Sequence, residues 1–172
     1  GQFIASSPSL FPRAYVEAFQ TCLDQTTPLP FDQIEAKLIE EFDRPLTEIF
    51  SHIEKKCLAS ASIAQVHAAT LITGEDVVIK VQKPGVETIL YTDLGFVHFA
   101  TKVLERLVPK LKFASLAAIV NEIKIRMVRE VDFIEEAQNI EDFKQFLATT
   151  GNTQVVAPKV YPRASTRTVL TM

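Results

Sequence analysis

The sequence predicts an α+β fold in which a small antiparallel sheet is combined with layers of helices. Two short runs with strand character lie on either side of a turn at residues 73–76. Amphipathic helical patterns precede and follow this hairpin, and two more strand-like runs come near the end of the chain. The order of helices, two strands, helices and two strands is typical of separate α and β layers.

The composition is that of a globular chain without a global preference for nucleic acid. Its 172 residues are 47% hydrophobic and 23% charged, with a net charge of −3, and this length suffices to bury a core. Cys22 and Cys57 form no CxxC and no metal-ligand spacing with the histidines, so we expect reduced thiols and no metal site. The chain starts at Gly1 and stops within a strand-like run, so we expect a piece of a longer protein.

Residues 1–57 are predicted to be helical. An apolar stripe predicts a first helix that ends before Pro28, and Asp32 with Glu35 forms a capping-box pattern before a second helix. A third short helix is predicted over residues 46–53. The apolar positions are Tyr15, Phe19, Cys22 and Leu23 in the first helix and Ile34, Leu38, Ile39 and Phe42 in the second.

The second strand of the hairpin, residues 77–82, carries one lysine among β-branched residues. Strand side chains alternate between faces, so one face carries Val78, Lys80 and Gln82 and the other carries Val77, Ile79 and Val81. An apolar strand with a lysine beside a valine fits the nucleotide roof of a kinase-like small lobe, where the lysine binds ATP phosphates. An edge strand with Lys80 in solvent is the alternative.

Two helices are predicted after the hairpin, over residues 86–108 and from near Ser115 to Leu147. Strand-like runs follow at residues 154–160 and 167–172.

Acidic residues in the second of these helices are candidates for function. Glu130 is predicted inside an apolar stripe, where a carboxylate needs a partner or a proton. Asp132 and Glu136 are four residues apart and share another face. An ordinary solvated helix face is the alternative for all three, and it is the favoured interpretation for Glu135.

Four motifs of the sequence resemble those of the UbiB/AarF (ADCK-type) atypical kinase family, in the family's order. They are Gly1-Gln2-Phe3, which resembles the end of a lysine-x-glycine-glutamine motif, ASASIAQVH at residues 59–67, VVIKVQKPG at residues 77–85, and EVDF with EAQN at residues 130–139. The resemblance covers nearly the whole chain. It implies a protein-kinase-like small lobe over residues 58–172 with a helical insert at residues 86–111, preceded by an N-terminal helical extension at residues 1–57.

The resemblance also implies site roles. Lys80 would contact ATP phosphates and form an ion pair with Glu136 on an αC-like helix. Glu130 and Asp132 would be the acids of an E-x-D motif that meets Gln2. An alanine loop, residues 59–64, would cover the phosphates. The implied nucleotide-contacting residues are Ala59, Ser60, Ala61, Ser62, Ile63, Ala64, Gln65, Val78 and Lys80.

The alanine loop differs from a glycine-rich phosphate loop in its chemistry. No glycine lies between Leu58 and Leu71, and alanine β-carbons limit how closely backbone N–H groups approach a phosphate. We therefore expect an unusual mode of nucleotide binding with slow or restrained turnover. Val78 stands where kinases commonly have alanine, and its bulk narrows the adenine roof.

By the same resemblance, the parent protein would be an ATP- and Mg²⁺-dependent ATPase or small-molecule kinase. It would support isoprenoid-quinone metabolism at a bacterial inner membrane or in a mitochondrion or plastid. Its partners would be nucleotide and isoprenoid-quinone precursors or membrane lipid, with a homodimer or a biosynthetic complex as further options and no nucleic acid. The catalytic and metal-binding residues would belong to a large lobe absent from this chain, so enzymatic activity stays open. The alternatives are a nucleotide-binding pseudokinase scaffold and a structural helical module with surface ion pairs.

Overall fold

The computed structural model describes Pro12, Arg13 and Glu17, residues 26–108 and residues 116–172. These residues form helices and antiparallel strands, which confirms the predicted α+β class. The chain divides into two compact units, the first ending at Lys83 and the second beginning at Pro84. The apolar stripe predicted for the first helix lies outside the described residues.

The first unit is an antiparallel sheet with one helix described in front of it in the chain. Strand β3 is central, because β1 and β2 pair with it along one edge and β4 pairs with it along the other. The elements are helix α1 (Phe31–Phe42), a 3₁₀ turn (Leu46–Glu48), and strands β1 (Phe50–Ile53), β2 (Ala59–Ser60), β3 (Ala64–Leu71) and β4 (Asp76–Gln82).

The hairpin of β3 and β4 has the predicted alternation of faces. Its turn contains Gly74 with a φ of 95°, a left-handed conformation that glycine adopts without a steric penalty. On one face of β4 the side chains of Val77, Ile79 and Val81 are buried. On the other face Val78 and Lys80 are half-buried, and Gln82 at the strand end is buried.

Helix α1 packs its apolar stripe in the core of the first unit. Ile34 and Leu38 are fully buried, and the Phe31 ring contacts the ring of His67 on β3 edge-on, at 5.4 Å between centroids. The predicted capping box is wrong, because Pro30 occupies the N-cap and no side chain caps the helix. Asp32 lies instead inside the first turn, where a carboxylate interacts favourably with the helix dipole.

The predicted third helix over residues 46–53 is also wrong. Only a 3₁₀ turn forms there, and β1 follows and pairs with the distant strand β3. A strand therefore lies within residues 1–57, which had been predicted to be a purely helical extension. Pairing across long sequence separation overrides a short apolar pattern that is compatible with either helix or strand.

The second unit is mainly helical. Helix α2 spans Val86–Leu107, one residue shorter than predicted, and it is followed by α3 (Leu116–Glu130), α4 (Phe133–Thr150), a 3₁₀ turn (Pro162–Ala164) and the short strand β5 (Val169–Thr171). The single helix predicted from Ser115 to Leu147 is thus two helices, and residues 154–160 form no strand. Among the described helices, none is long and apolar enough to cross a membrane.

The break between α3 and α4 has a local cause. Asp132 is extended, with φ −99° and ψ 101°, so the side chains on either side of it point the same way. Both of them, Val131 and Phe133, are buried. A continuous helix would separate these two apolar side chains by about 200° around its axis, and only one of them could be buried in the same place.

The packing of α1 predicts a contrast between two adjacent aliphatic residues. Leu38→Ala should lower the free energy of unfolding by about 2–5 kcal/mol, because it opens a cavity in the core. Ile39→Ala, at a side chain that is 50% exposed, should cost about 1 kcal/mol or less. Urea unfolding of both variants measures the difference, and equal losses would contradict the packing of α1.

Candidate functional site

One face of the β3–β4 ladder, the face opposite the one that carries Ile79, presents a single ammonium among apolar side chains. Lys80 lies directly across from Val66, and Val78 lies directly across from Ala68. All four are half-buried. We call these four residues the ladder face. A lysine whose stem packs among apolar side chains at the edge of solvent loses conformational freedom, which suits its ammonium to bind an anionic ligand.

The alanine loop is the tip of a hairpin formed by β2 and β3. Ala59 pairs with Val66 and Ser60 pairs with Gln65. The Ala61 N–H donates to the Ala64 carbonyl over 2.8 Å, which closes the turn.

The tip of the loop exposes backbone donors in a conformation without positive φ. Ala61 and Ser62 are exposed, and the loop has no residue with positive φ, since Asp43 is the only described non-glycine residue in that region. Within the described part of the chain, no hydrogen bond uses the N–H groups of Ser62 and Ile63. The tip therefore presents small side chains and two adjacent backbone donors.

Gln65 lies on the opposite face of β3 from the ladder face and is fully buried. Its Oε1 accepts from the Leu29 N–H over 2.5 Å, and its Nε2 donates to the Leu29 carbonyl over 3.3 Å. The side chain that the family resemblance places among the nucleotide contacts is thus engaged with the segment that leads into α1. The backbone of Gln65 pairs with Ser60 of the loop.

His67 continues the polar contacts on the buried face of β3. Its Nδ1 is 2.9 Å from the carbonyl oxygen of Glu54, and its Nε2 is 3.4 Å from Gln65 Nε2. A ring that carries its proton on Nδ1 donates to Glu54 and accepts from Gln65, so one tautomer satisfies both contacts.

Thr26 and Lys83 contact the alanine loop, and the sequence analysis gave neither residue a role in the site. Lys83 Nζ donates to Thr26 Oγ1 over 2.8 Å, and Thr26 Oγ1 donates to the Ala61 carbonyl over 2.7 Å. Burial lowers the pKa of the Lys83 ammonium, and the interaction with Cys57 partly offsets this decrease. Lys83 follows the end of β4, where strand alternation no longer predicts the direction of a side chain.

The acidic motif of the second unit is placed differently from the prediction. Glu130 is the last residue of α3 and is exposed, so its predicted position in a buried apolar stripe is wrong. Asp132 is the N-cap of α4 and accepts from the Ile134 N–H over 3.0 Å. Glu136 is half-buried on α4, and Glu135 is exposed as predicted.

Arg167 links two carboxylates of the second unit, and the sequence analysis missed it. Its Nε lies 3.3 Å from Asp132 Oδ2 and its Nη2 lies 3.2 Å from Glu87 Oε1. Its carbonyl also accepts from the Phe133 N–H over 2.9 Å. The Glu87 carboxylate is the main cause of a raised pKa for Arg167, and Asp132 contributes as well, against a decrease from burial.

Two predicted contacts stay predictions. Lys80 belongs to the first unit and Glu136 to the second, and Gln2 lies outside the described residues. The ion pair of Lys80 with Glu136 and the contact of Gln2 with the acidic motif are therefore untested. Over residues 26–108 and 116–172 there is no group of three or more His, Cys, Asp or Glu side chains that could hold a metal ion.

Comparisons with known proteins give consistent matches. The model of the ABC1 atypical kinase-like domain matches residues 21–172. The chain is 50% identical over 174 residues to an uncharacterized chloroplastic aarF domain-containing protein kinase of Arabidopsis thaliana, covering all of this chain and 32% of that protein. It is 32% identical over 163 residues to the probable protein kinase UbiB of Pseudomonas fluorescens, covering 94% of this chain and 30% of that protein.

A solved structure also matches. The complex of Rv3197 with erythromycin from Mycobacterium tuberculosis superimposes with a TM-score of 0.69 and 28% sequence identity, covering 99% of this chain and 42% of that one. The chain thus spans roughly a third of the length of the curated relatives it matches.

The two contacts of Asp132 can be separated by substitution. Asp132→Ala should lower the free energy of unfolding by about 1–2 kcal/mol, because it removes the N-cap of α4 as well as an ion pair. Asp132→Asn keeps a good capping side chain and should cost at most about 1 kcal/mol. Glu135→Gln is the matched control. Equal losses for the alanine and asparagine variants would contradict the capping role.

Proposed function

Because the chain belongs to the ABC1 atypical kinase-like family, we propose that it forms the ATP-binding small lobe of a UbiB-type kinase or ATPase. Family membership and the kinase-like α+β fold confirm the resemblance noted in the sequence.

The observation that carries the proposal is the half-buried ammonium of Lys80 on the ladder face, close to the alanine loop. Ala64 at the end of the loop lies across from Gln82, two residues along β4 from Lys80. At a strand rise of about 3.3 Å per residue, Lys80 lies about 7 Å along the strand from this pair. A polyphosphate can therefore contact the ammonium and the N–H groups of the loop tip together.

The residues present fit a nucleotide. Lys80 supplies a charge for the phosphates, and Ser62 and Ile63 supply backbone donors that need no side chain. Val66, Ala68 and Val78 give the apolar surface that a base requires. ATP when bound supplies the phosphoryl group, and this chain positions the phosphates and excludes water from the base. The Mg²⁺ ligands are expected in the large lobe.

We extend the proposal to the parent protein. Its reaction would support isoprenoid-quinone lipid metabolism at a membrane, as the family resemblance of the sequence motifs implies. A bacterial relative named as a probable protein kinase UbiB supports the kinase-type part of this assignment. Plastid or bacterial localisation is supported by relatives named chloroplastic and by the bacterial relatives. The proposed partners are isoprenoid-quinone precursors or membrane lipid, with a homodimer or a biosynthetic complex as further options and no nucleic acid.

A second candidate is a pseudokinase scaffold that binds nucleotide as a switch. The alanine loop favours it, because a loop without glycine and without positive φ restricts the approach of phosphates. Release of phosphate by the full-length parent, stimulated by lipid or phenolic quinone precursors, would indicate an enzyme. Nucleotide binding without turnover would indicate the scaffold.

Substitution of Lys80 tests the nucleotide site. In the full-length parent, Lys80→Met should weaken ATP binding at least tenfold, the loss expected for a charge-assisted contact of about 1.5–3 kcal/mol. Lys144→Met, at a lysine that is exposed on α4, is the matched control. Isothermal titration measures both affinities, and unchanged ATP affinity for Lys80→Met would overturn the proposed site.

The same titration examines the untested ion pair. Glu136→Gln should weaken ATP binding less than Lys80→Met, and the double variant should resemble Lys80→Met alone, because the carboxylate acts by orienting the ammonium. If the losses in the free energy of ATP binding were strictly additive in the double variant, the ion pair of Lys80 with Glu136 would be rejected.

The alanine loop gives an independent prediction. Ala61→Gly should change the ratio of ATP to ADP affinity, because it removes a methyl group at the exposed tip and permits positive φ. The free energy of unfolding should fall by about 0.5–1 kcal/mol. Ala118→Gly, on the exposed surface of α3, controls for the entropic effect. Unchanged affinity for both nucleotides would reject the role of the loop.

A further inference from the structure

The hydroxyl group of Thr26 connects three parts of the first unit. Its Oγ1 accepts from Lys83 Nζ over 2.8 Å and donates to the Ala61 carbonyl over 2.7 Å. The Ser60 hydroxyl lies 3.1 Å away, and the Thr26 N–H donates to the Ser60 carbonyl over 3.4 Å. The hydroxyl has one proton, which goes to Ala61, so Ser60 is the donor in its contact with Thr26.

Lys83 is linked to the alanine loop through both its backbone and its side chain. Its backbone N–H donates to the Ile63 carbonyl over 2.8 Å, and its side chain reaches Thr26, which in turn bonds to Ala61. The loop is therefore linked at residues 61 and 63 to the same lysine. Lys83 is only 9% exposed, and a buried ammonium is costly to leave without an acceptor. The acceptor provided by Thr26 thus secures the link.

We propose that Thr26 and Lys83 are positioning residues that set the conformation of the alanine loop and thereby the nucleotide affinity of the site. This inference rests on the proposed nucleotide site and adds to it two residues that touch the loop and not the nucleotide. The bond to the Ala61 carbonyl fixes the peptide plane that carries the Ser62 N–H. The bond to the Ile63 carbonyl fixes the next plane but one, between residues 63 and 64, so the plane that carries the Ile63 N–H is held between two fixed planes. The Ser62 and Ile63 N–H groups keep one orientation before any phosphate arrives, which lowers the ordering cost of binding.

Ordering by Thr26 and Lys83 allows a loop without glycine to serve at this position. Glycine loops adapt to the phosphates because they are flexible, whereas a loop held by Thr26 and Lys83 is ordered beforehand. A loosened alanine loop would lose this order without gaining the conformations that glycine permits. Both nucleotides should then bind more weakly.

The test uses Thr26→Val and Thr26→Ser in the full-length parent. Valine preserves the shape of threonine and removes the hydroxyl, while serine retains the hydroxyl. Thr73→Val, in the exposed turn between β3 and β4, is the control for the same chemical change. Lys83→Met provides a second way to break the link, and thermal unfolding is followed in parallel for every variant.

Two measurements are made on each variant. Amide hydrogen exchange without nucleotide reports on the N–H groups of Ala61 and Lys83, both of which bond within the loop. Titration with ATP and with ADP reports on the site. For Thr26→Val we expect exchange of these two amides to accelerate about fivefold, as for the loss of one hydrogen bond, and both affinities to fall at least threefold. Thr26→Ser and Thr73→Val should match the parent in both measurements.

Each contrary outcome identifies what is wrong. Unchanged exchange in Thr26→Val would overturn the tether, whatever the nucleotide affinity. Faster exchange with unchanged ATP and ADP affinities would overturn the positioning role while leaving the proposed function intact. Failure of the unsubstituted parent to bind either nucleotide would overturn the proposed function and, with it, this inference.

Discussion

Gln65 is a fully buried amide on a strand face that it shares with His67 and with apolar side chains, and its need for hydrogen-bond partners constrains the first unit. Leaving this amide without hydrogen-bond partners would lower the free energy of unfolding by about 1–3 kcal/mol. Leu29, whose N–H group lies between two prolines that have none, supplies both partners. The next polar residue on this face, His67, bonds to the carbonyl of Glu54. The chain before α1 and the chain after β1 are therefore both held against β3.

This constraint divides the hairpin of β3 and β4 into two faces with different roles. Gln65 and His67 share their face with Val77, Ile79 and Val81, and the contact of Phe31 with His67 brings the start of α1 against it. Because strand side chains alternate, Lys80 must lie on the other face. Core packing and the candidate nucleotide site are thus two sides of the same ladder. Thr26, which bonds to the alanine loop, lies three residues before Leu29, so core packing and loop geometry are coupled through a stretch of four residues.

The periodicity of apolar residues was enough to predict those features that are set by residues close together in sequence. The alternation around Lys80 and the extent of α2 follow from periodicity alone, and the family motifs identified the fold. The break at Asp132 was missed, because the burial of Val131 and Phe133 together depends on packing that a helical period cannot reveal. The strand β1, the contacts of Gln65 with Leu29 and the role of Arg167 were also missed, because each depends on a partner at least 16 residues away in sequence. Such pairings leave no periodic signal.

The acidic motif shows how a structural role limits a functional one. Asp132 caps α4 through one carboxylate oxygen and contacts Arg167 through the other, so its charge is already compensated within the second unit. Any further ligand of Asp132 must compete with a helix cap and a cation, whereas Glu130 is exposed at the end of α3. The extended conformation of Asp132 interrupts the helix between these two acids, so they do not have the orientation that a helical spacing of two residues would impose. Glu130 is therefore the better suited of the two acids to contact a distant part of the chain. Asp132 is better suited to fix the start of α4, directly after the helix that ends at Glu130.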